Sequence, residues 1–230
     1  MRSMSEASYA DELTPEDAMI RLWVAAKDWW WNTRDKIWEG ELPGPSWRWF
    51  YKAVERLERG PELEALIELG EIGGFDRNEI YQAWNKLSER QRKELIRDIK
   101  QAYAQKGTSD FLGVTVDHLL LLISTIKDKN ERRRVLKDVL DKAYQFLDGK
   151  ISFDELMNYI AKQLSPLLYG RNPMLLQMID QAFPDPLRRG LDPEVFREGI
   201  ALSKYLTRAE LEKRVKSILI ESLENELNKY

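Results

Sequence analysis

The chain has 230 residues, of which 43% are apolar and 33% are charged, and its formal net charge at pH 7 is −3. It contains no cysteine and a single histidine, His118. Disulfides, thiolate catalysis, cysteine-ligated metals and zinc sites built mainly from imidazoles are therefore excluded. The apolar content predicts a folded core, in one large domain or two small ones. The abundance of Glu, Lys and Arg is typical of many thermophile proteins.

The N-terminal residues 1–13 are polar and acidic, so we expect a flexible N-terminus without the apolar segment of a signal peptide. The most apolar stretch, Phe111 to Ile126, carries Asp117 and His118. It is also shorter than the about 20 apolar residues that a membrane-spanning helix needs. We therefore expect a protein without a transmembrane segment that is cytoplasmic or otherwise intracellular, or part of a virion.

Signals for helix starts recur from residue 14 onward. Several prolines directly follow a residue that can cap a helix, as in Thr14-Pro15, Ser165-Pro166 and Asp192-Pro193. Proline is well tolerated at the first helical position, where its missing N–H has no partner in any case. Capping boxes mark further starts at Asp76 with Glu79, Ser88 with Gln91, Ser152 with Glu155, and Thr207 with Glu210.

These signals predict an all-α fold, a compact multi-helix bundle of about ten short capped helices. The predicted helices span residues 15–38, 46–59, 61–69, 77–87, 89–106, 114–128, 131–147, 153–164, 173–183, 193–205 and 208–228. No segment alternates apolar and polar residues as a half-buried strand would. The sequence Gly107-Thr108-Ser109 is the best candidate boundary. It separates an N-terminal lobe, 14–107, which is rich in tryptophan and first acidic and then basic, from a C-terminal lobe, 108–230; a single domain fits as well.

The first predicted helix carries an aromatic face that contains two cations. At 100° per residue, this face consists of Trp23, Lys27, Trp30, Trp31, Arg34 and Trp38. One interpretation is a core stripe, with the cations lying along the indoles. Another is a partner-binding surface, because Trp and Arg are the enriched anchors of protein interfaces. A stacking platform for bases or sugars and a membrane-surface helix are further alternatives.

Charge is unevenly distributed along the chain. Residues 1–83 contain 10 basic and 17 acidic side chains, residues 84–142 contain 14 and 9, and residues 143–230 contain 12 and 13. The first part therefore carries −7 and the second +5. One interpretation of this asymmetry is that one copy docks on another, and the other is chance scatter among solvated helix faces.

The basic middle part also predicts a contact with nucleic acid, because Lys and Arg gathered on one face neutralise phosphates. The candidate residues are Lys86, Arg90, Arg92, Lys93, Arg97, Lys100, Arg132, Arg133, Arg134 and Lys137. The other interpretation is a set of solvated helix faces with i,i+4 ion pairs. The isoelectric point of about 5.5 argues against a dedicated DNA-binding protein.

The sequence contains no recognisable catalytic or metal-binding constellation, and we expect neither a cofactor nor a metal. The segment from Asp148 to Glu155 resembles the second half of an EF-hand loop. Tyr144 and Phe146 would then occupy the first ligand positions, and neither supplies the carboxylate that calcium needs. His118, inside an apolar helix, is typical of a buried and hydrogen-bonded histidine.

The residues favour a non-enzymatic helical protein that binds or assembles through protein–protein contacts, with itself or with a partner. A structural component of a virus, plasmid or other macromolecular assembly fits this class. The first alternative is a nucleic-acid-associated protein, such as a coat or replication accessory protein, that uses the basic middle part. The second is an enzyme whose site the sequence does not reveal.

Overall fold

The computed structural model describes residues 45–72, 76–169, 172–185 and 188–230. Every regular element in these ranges is helical, which confirms the predicted all-α class. The helices are α1 (Ser46–Arg59), α2 (Glu62–Ile72), α3 (Arg77–Lys86), α4 (Glu89–Ser124), α5 (Lys129–Leu147), α6 (Phe153–Leu168), α7 (Pro173–Ala182), α8 (Pro193–Leu202), α9 (Arg208–Arg214) and α10 (Glu221–Leu227). A 3-10 turn (Ser203–Tyr205) follows α8, and a π-helical stretch (Val215–Ile220) joins α9 to α10. The predicted helix 15–38 lies outside the described residues.

Side-chain caps hold several helix starts in place. The predicted capping boxes at Ser152, Thr207 and Ser88 are confirmed. In each box the hydroxyl accepts a hydrogen bond from the N–H three residues ahead, and the side chain of that residue accepts one from the N–H of the cap. Asp76 caps α3 by accepting a hydrogen bond from the N–H of Asn78 at 2.7 Å.

Helix α4 is longer than the sequence predicts. The predicted break at Gly107 is wrong, because one helix of 36 residues runs through it. A Cβ atom at Gly107 would stand 2.3 Å from Cδ2 of Leu202 and 3.1 Å from Cβ of Phe50. The glycine therefore serves close packing instead of ending the helix. The burial around it outweighs the roughly 1 kcal/mol that glycine costs within a helix.

Helix α6 also continues beyond its predicted end. Ser165-Pro166 predicts a new helix start, and this prediction is wrong, because Pro166 lies inside α6. Pro166 has no N–H, so the helix loses the backbone hydrogen bond to the carbonyl of Lys162. The neighbouring Leu167 and Leu168 are buried and keep this turn helical.

The described residues group into two compact units. One contains residues 52–72 and 76–103, and the other contains residues 45–51 together with those from 104 onward. The boundary between the units therefore lies inside α1 and α4 and not in a loop. The sequence-based division after residue 107 follows the same order but assigns residues 45–51 to the other part of the chain.

The first unit has a core drawn from α1 to α4. Leu57 of α1, Leu66 of α2, Ile80 and Trp84 of α3, and Ile96 of α4 are all buried. Helices α2 and α3 pack against each other across this core. As a result, the charged faces of α2 and α4 point away from it.

The core of the second unit contains a ring cluster that ties the start of α1 to α4 and α8. The ring centroids of Trp47 and Phe111 are 5.3 Å apart, and those of Phe111 and Phe196 are 4.9 Å apart, both in edge-on arrangements. The indole Nε1–H of Trp47 donates a hydrogen bond to the carbonyl of Val195 at 2.8 Å. The buried indole therefore leaves no polar atom unsatisfied.

Candidate assembly surface

Helix α4 begins with an amphipathic stretch in the first unit. Ser88 caps it, and Ile96, Ile99 and Tyr103 form its buried face. At 100° per residue these three side chains lie within about 60° of one another. The opposite face of the helix is therefore free to carry charge.

Four cations line one flank of the helix, between the buried face and the opposite face. They stand at positions i, i+3, i+7 and i+10, which places them on one side of the helix over about 15 Å. The members of this basic row are Arg90, Lys93, Arg97 and Lys100. The side chains of Arg90, Lys93 and Arg97 are 88%, 75% and 71% exposed. Lys100 is half-buried, so the row faces solvent from Arg90 to Arg97.

Carboxylates border the basic row on both sides. Arg90 pairs with Glu94 at 3.0 Å, Lys93 with Glu89 at 3.5 Å, and Arg97 with Asp98 at 3.5 Å. Glu89 lies on one side of the row, and Glu94 and Asp98 lie on the other. A uniformly anionic rod that followed the row would also lie against these carboxylates.

Arg92 does not belong to this row. Its guanidinium lies 5.1 Å from the ring centroid of Trp84, and its Nε–H donates a hydrogen bond to the carbonyl of Trp84 at 3.0 Å. It thus fastens α4 to the end of α3. Lys86, also predicted to contact nucleic acid, is exposed at the last position of α3.

The arginines of α5 do not gather on one face. Arg132 donates hydrogen bonds to the carbonyls of Ser124, at 3.4 Å, and Ile126, and so caps the end of α4. Arg133 donates a hydrogen bond to the main-chain oxygen of Tyr230.

The other two candidate residues of α5 are exposed. Arg134 pairs with Glu131 at 2.9 Å and with Asp138 at 3.5 Å. Lys137 is exposed. The basic residues of α5 therefore serve mainly local contacts, and the nucleic-acid contact stays a prediction.

Helix α2 carries an acidic counterpart, which the sequence analysis did not single out. Glu64, Glu68 and Glu71 form this acidic row at positions i, i+4 and i+7, over about 10 Å. Their side chains are about half exposed, at 47%, 56% and 49%. The helical spacing of these glutamates was available as a signal in the sequence.

Arginines border the acidic row. Arg77 of α3 pairs with Glu64 at 3.3 Å and with Glu71 at 3.8 Å, while Arg56 of α1 pairs with Glu68 at 3.1 Å. Hydrogen bonding to Glu68 raises the pKa of the Arg56 guanidinium. The acidic row therefore has the reverse charge pattern of the basic row.

Helix α7 in the second unit exposes apolar side chains. Met174 is 69% exposed and Leu176 is 48% exposed, and Tyr169, just before this helix, is 64% exposed. Ile179 is the buried residue of α7. The sequence analysis did not identify this surface, because its pattern of apolar residues resembles that of an ordinary core helix.

His118 lies in the second unit and is 2% exposed. Its Nε2–H donates a hydrogen bond to the carbonyl of Arg188 at 2.9 Å, and the Arg188 side chain forms an ion pair with Asp117. Burial lowers the pKa of His118 to about 4. The side chain is thus a neutral, hydrogen-bonded core residue at pH 7.

The described ranges contain neither a metal cluster nor a membrane-spanning helix. No cluster of three or more His, Asp or Glu side chains is arranged there to hold a metal ion. None of the helices that the structure describes has both the length and the apolar character needed to cross a bilayer. The predicted partner-binding face, Trp23 to Trp38, lies outside the described residues.

Comparisons with protein-family models, curated proteins and solved structures find no match for this chain.

Proposed function

We propose that this chain is a non-enzymatic helical protein that assembles with further copies of itself. The observation that supports the proposal is the basic row of α4, which faces solvent from Arg90 to Arg97 and lies beside a well-packed apolar face. A surface of this kind contributes little to the stability of its own fold, because exposed ion pairs are individually weak. It is well suited to guiding a partner of opposite charge.

The charge pattern favours a protein partner over nucleic acid. Nucleic-acid affinity comes from cations gathered against phosphates, and any carboxylate beside them opposes it. Three carboxylates, Glu89, Glu94 and Asp98, border the basic row. A protein face can offer cations to these carboxylates as well as carboxylates to the row. The net charge of −3 points in the same direction.

The assembly is expected to be reversible and dependent on salt. Measured contributions of exposed ion pairs are about 0.2–1 kcal/mol each, so several pairs are needed for a measurable affinity. Screening shortens the reach of such pairs from about 30 Å at 0.01 M salt to about 3 Å at 1 M.

Sedimentation velocity over a series of protein concentrations tests the proposal. At low salt we expect the average mass to rise above the 27.1 kDa of one chain, and at high salt we expect it to fall back. The double variant Arg90→Gln/Arg97→Gln should reduce the rise. The matched control Lys213→Gln/Lys216→Gln removes two exposed cations of the second unit and should leave it unchanged.

A chain that remains a monomer at every concentration and at low salt would overturn the proposal. A labelled DNA oligonucleotide tests the rival function under the same conditions. If the oligonucleotide binds, and the Arg90→Gln/Arg97→Gln variant abolishes its binding while the protein stays monomeric, the nucleic-acid alternative replaces the proposed function.

A further inference from the structure

We infer that the basic row of one copy binds the acidic row of α2 on a second copy. This inference rests on the proposed function and names the surface that receives the basic row. The two rows belong to the same unit of the chain, but each is paired with its own local neighbours. Because exposed ion pairs are individually weak, either row can exchange its local partners for those of a second copy.

The spacing of the two rows matches. Along each helix, successive charges are separated by one turn, about 5 Å, because they stand three or four residues apart. The acidic row spans about 10 Å and the basic row about 15 Å. Three carboxylates can therefore face three consecutive cations when the two helices lie side by side.

The borders of the two rows match as well. Arg56 and Arg77 flank the acidic row, and Glu89, Glu94 and Asp98 flank the basic row. When the rows pair, these outer charges also meet partners of opposite sign. A phosphate backbone would satisfy only the inner cations. The two surfaces therefore have opposite charges both within the rows and at their borders, and this favours a second copy as the partner.

Pairing two different surfaces makes the contact heterologous. Each copy then keeps one unoccupied acidic row and one unoccupied basic row after its first contact. Such a contact extends into a chain of copies or closes into a ring. The mass of the wild-type protein should accordingly rise beyond that of a dimer as concentration increases.

Two complementary variants test this inference on the full chain. Arg90→Gln/Arg97→Gln weakens the basic row, and Glu64→Gln/Glu68→Gln weakens the acidic row. Each variant alone should self-associate about 2- to 30-fold more weakly than the wild type, because each loses two charges from the same contact. Circular dichroism of both variants checks that the exposed substitutions leave the helices intact.

An equimolar mixture of the two variants gives the decisive result. The first variant still has its acidic row and the second still has its basic row, so one wild-type contact can form between them. We expect a 1:1 complex that does not grow further, with twice the mass of one 27.1-kDa chain. The control pair Lys213→Gln/Lys216→Gln and Asp141→Asn/Glu221→Gln should behave like the wild type, both alone and mixed.

The outcomes separate this inference from the proposed function. A wild-type chain that never self-associates overturns both. If the wild type associates and Glu64→Gln/Glu68→Gln associates equally well, the acidic row is not the acceptor and only the inference fails. The inference also fails if the mixture of folded variants remains monomeric at concentrations where the wild type is associated.

Discussion

At the scale of single residues, His118 shows how burial sets a charge state. The ring of Phe183 meets the imidazole edge-on, with centroids 4.8 Å apart, and the carbonyl of Arg188 accepts its Nε2–H. Burial is the largest influence and lowers the pKa of His118 from 6.5 to about 4; the hydrogen bond to Arg188 opposes this, and the positive charge of Arg188 adds to it. The chain has one histidine, so a single resonance reports this environment.

We expect the His118 side chain to remain neutral throughout the physiological pH range. Proton NMR of the Cε1–H resonance, in a tag-free chain, should show a midpoint near pH 4 in the folded protein, where an exposed histidine would titrate near 6.5. A midpoint between pH 6 and 7 would contradict the buried, hydrogen-bonded geometry.

The same shift makes folding stability depend on pH. The folded-state pKa of His118 lies below the unfolded-state value, so the unfolded chain binds more protons between pH 6.5 and about 4. This contribution is fully present above pH 6.5 and is lost as the pH falls toward 4, for a total of about 3 kcal/mol. Burial raises the pKa of Asp117, and this opposes the trend at the acidic end.

Urea unfolding at high salt, from pH 7 to pH 4.5, measures this loss. His118→Gln keeps an N–H donor for the Arg188 carbonyl but has no proton to gain in this range. The variant should therefore lose less stability on acidification than the wild type. Equal losses in the two proteins would show that His118 is not responsible.

At the scale of elements, two glycines of α4 provide a matched pair. Gly107→Ala would bring a Cβ to 2.3 Å from Leu202 and 3.1 Å from Phe50, whereas a Cβ at Gly113 meets no atom within 4 Å. Alanine favours a helix over glycine by about 1 kcal/mol. We expect Gly113→Ala to raise the free energy of unfolding by up to about that amount.

Gly107→Ala should instead lower the free energy of unfolding by about 1–2 kcal/mol, because overpacking costs roughly 1–3 kcal/mol and outweighs the gain in helix propensity. Chemical denaturation of both variants measures the difference. A stabilised Gly107→Ala variant would show that Leu202 and Phe50 can move aside at little cost. This result would contradict close packing as the reason for the glycine.

A comparison of α4 with α6 and α9 shows which features of a helix the sequence can predict. The starts of α6 and α9 depend on hydrogen bonds between residues three apart, at Ser152 and Thr207, and such local signals are visible in the sequence. The continuation of α4 through Gly107 depends on Phe50 and Leu202, which are distant along the chain. Tertiary packing overrides the local preference there, so sequence reasoning places a false break.

Only part of the candidate surface was predictable from the sequence. The helical spacing of Arg90, Lys93 and Arg97 identifies an exposed basic face from sequence alone. The sequence analysis placed Arg92 in the same set, but the structure shows that its side chain contacts Trp84. Arg132 likewise caps α4 through carbonyls of the preceding turn. Long cationic side chains reach several neighbours, and the sequence does not indicate which of them they contact.

At the scale of the whole molecule, the proposed assembly depends on the distribution of charge along the chain and only weakly on the net charge. The net charge is only −3, so general repulsion between copies is small. Residues 1–83 carry −7 and residues 84–142 carry +5. A variant that exchanges the two rows while keeping the total charge therefore separates a specific contact from a general electrostatic effect.

The exchange variant combines Arg90→Glu, Lys93→Glu and Arg97→Glu with Glu64→Arg, Glu68→Arg and Glu71→Arg in one chain, with an unchanged net charge. Its rows remain complementary to each other, so it should self-associate with a salt dependence like that of the wild type. It should not co-assemble with the wild type, because both of the mixed contacts would then place like charges together. Sedimentation of a mixture in which only one of the two proteins is labelled measures co-assembly directly.

The exchange also creates like-charged neighbours, such as position 90 beside Glu94 on α4 and position 68 of α2 beside Arg56, and these should lower the thermal unfolding temperature. Circular dichroism at the assay temperature establishes that the variant is folded. Free mixing of the folded variant with the wild type would show that assembly ignores the sign of the rows. Selective self-association of each protein would show that the order of charge along α2 and α4 determines which copies recognise one another.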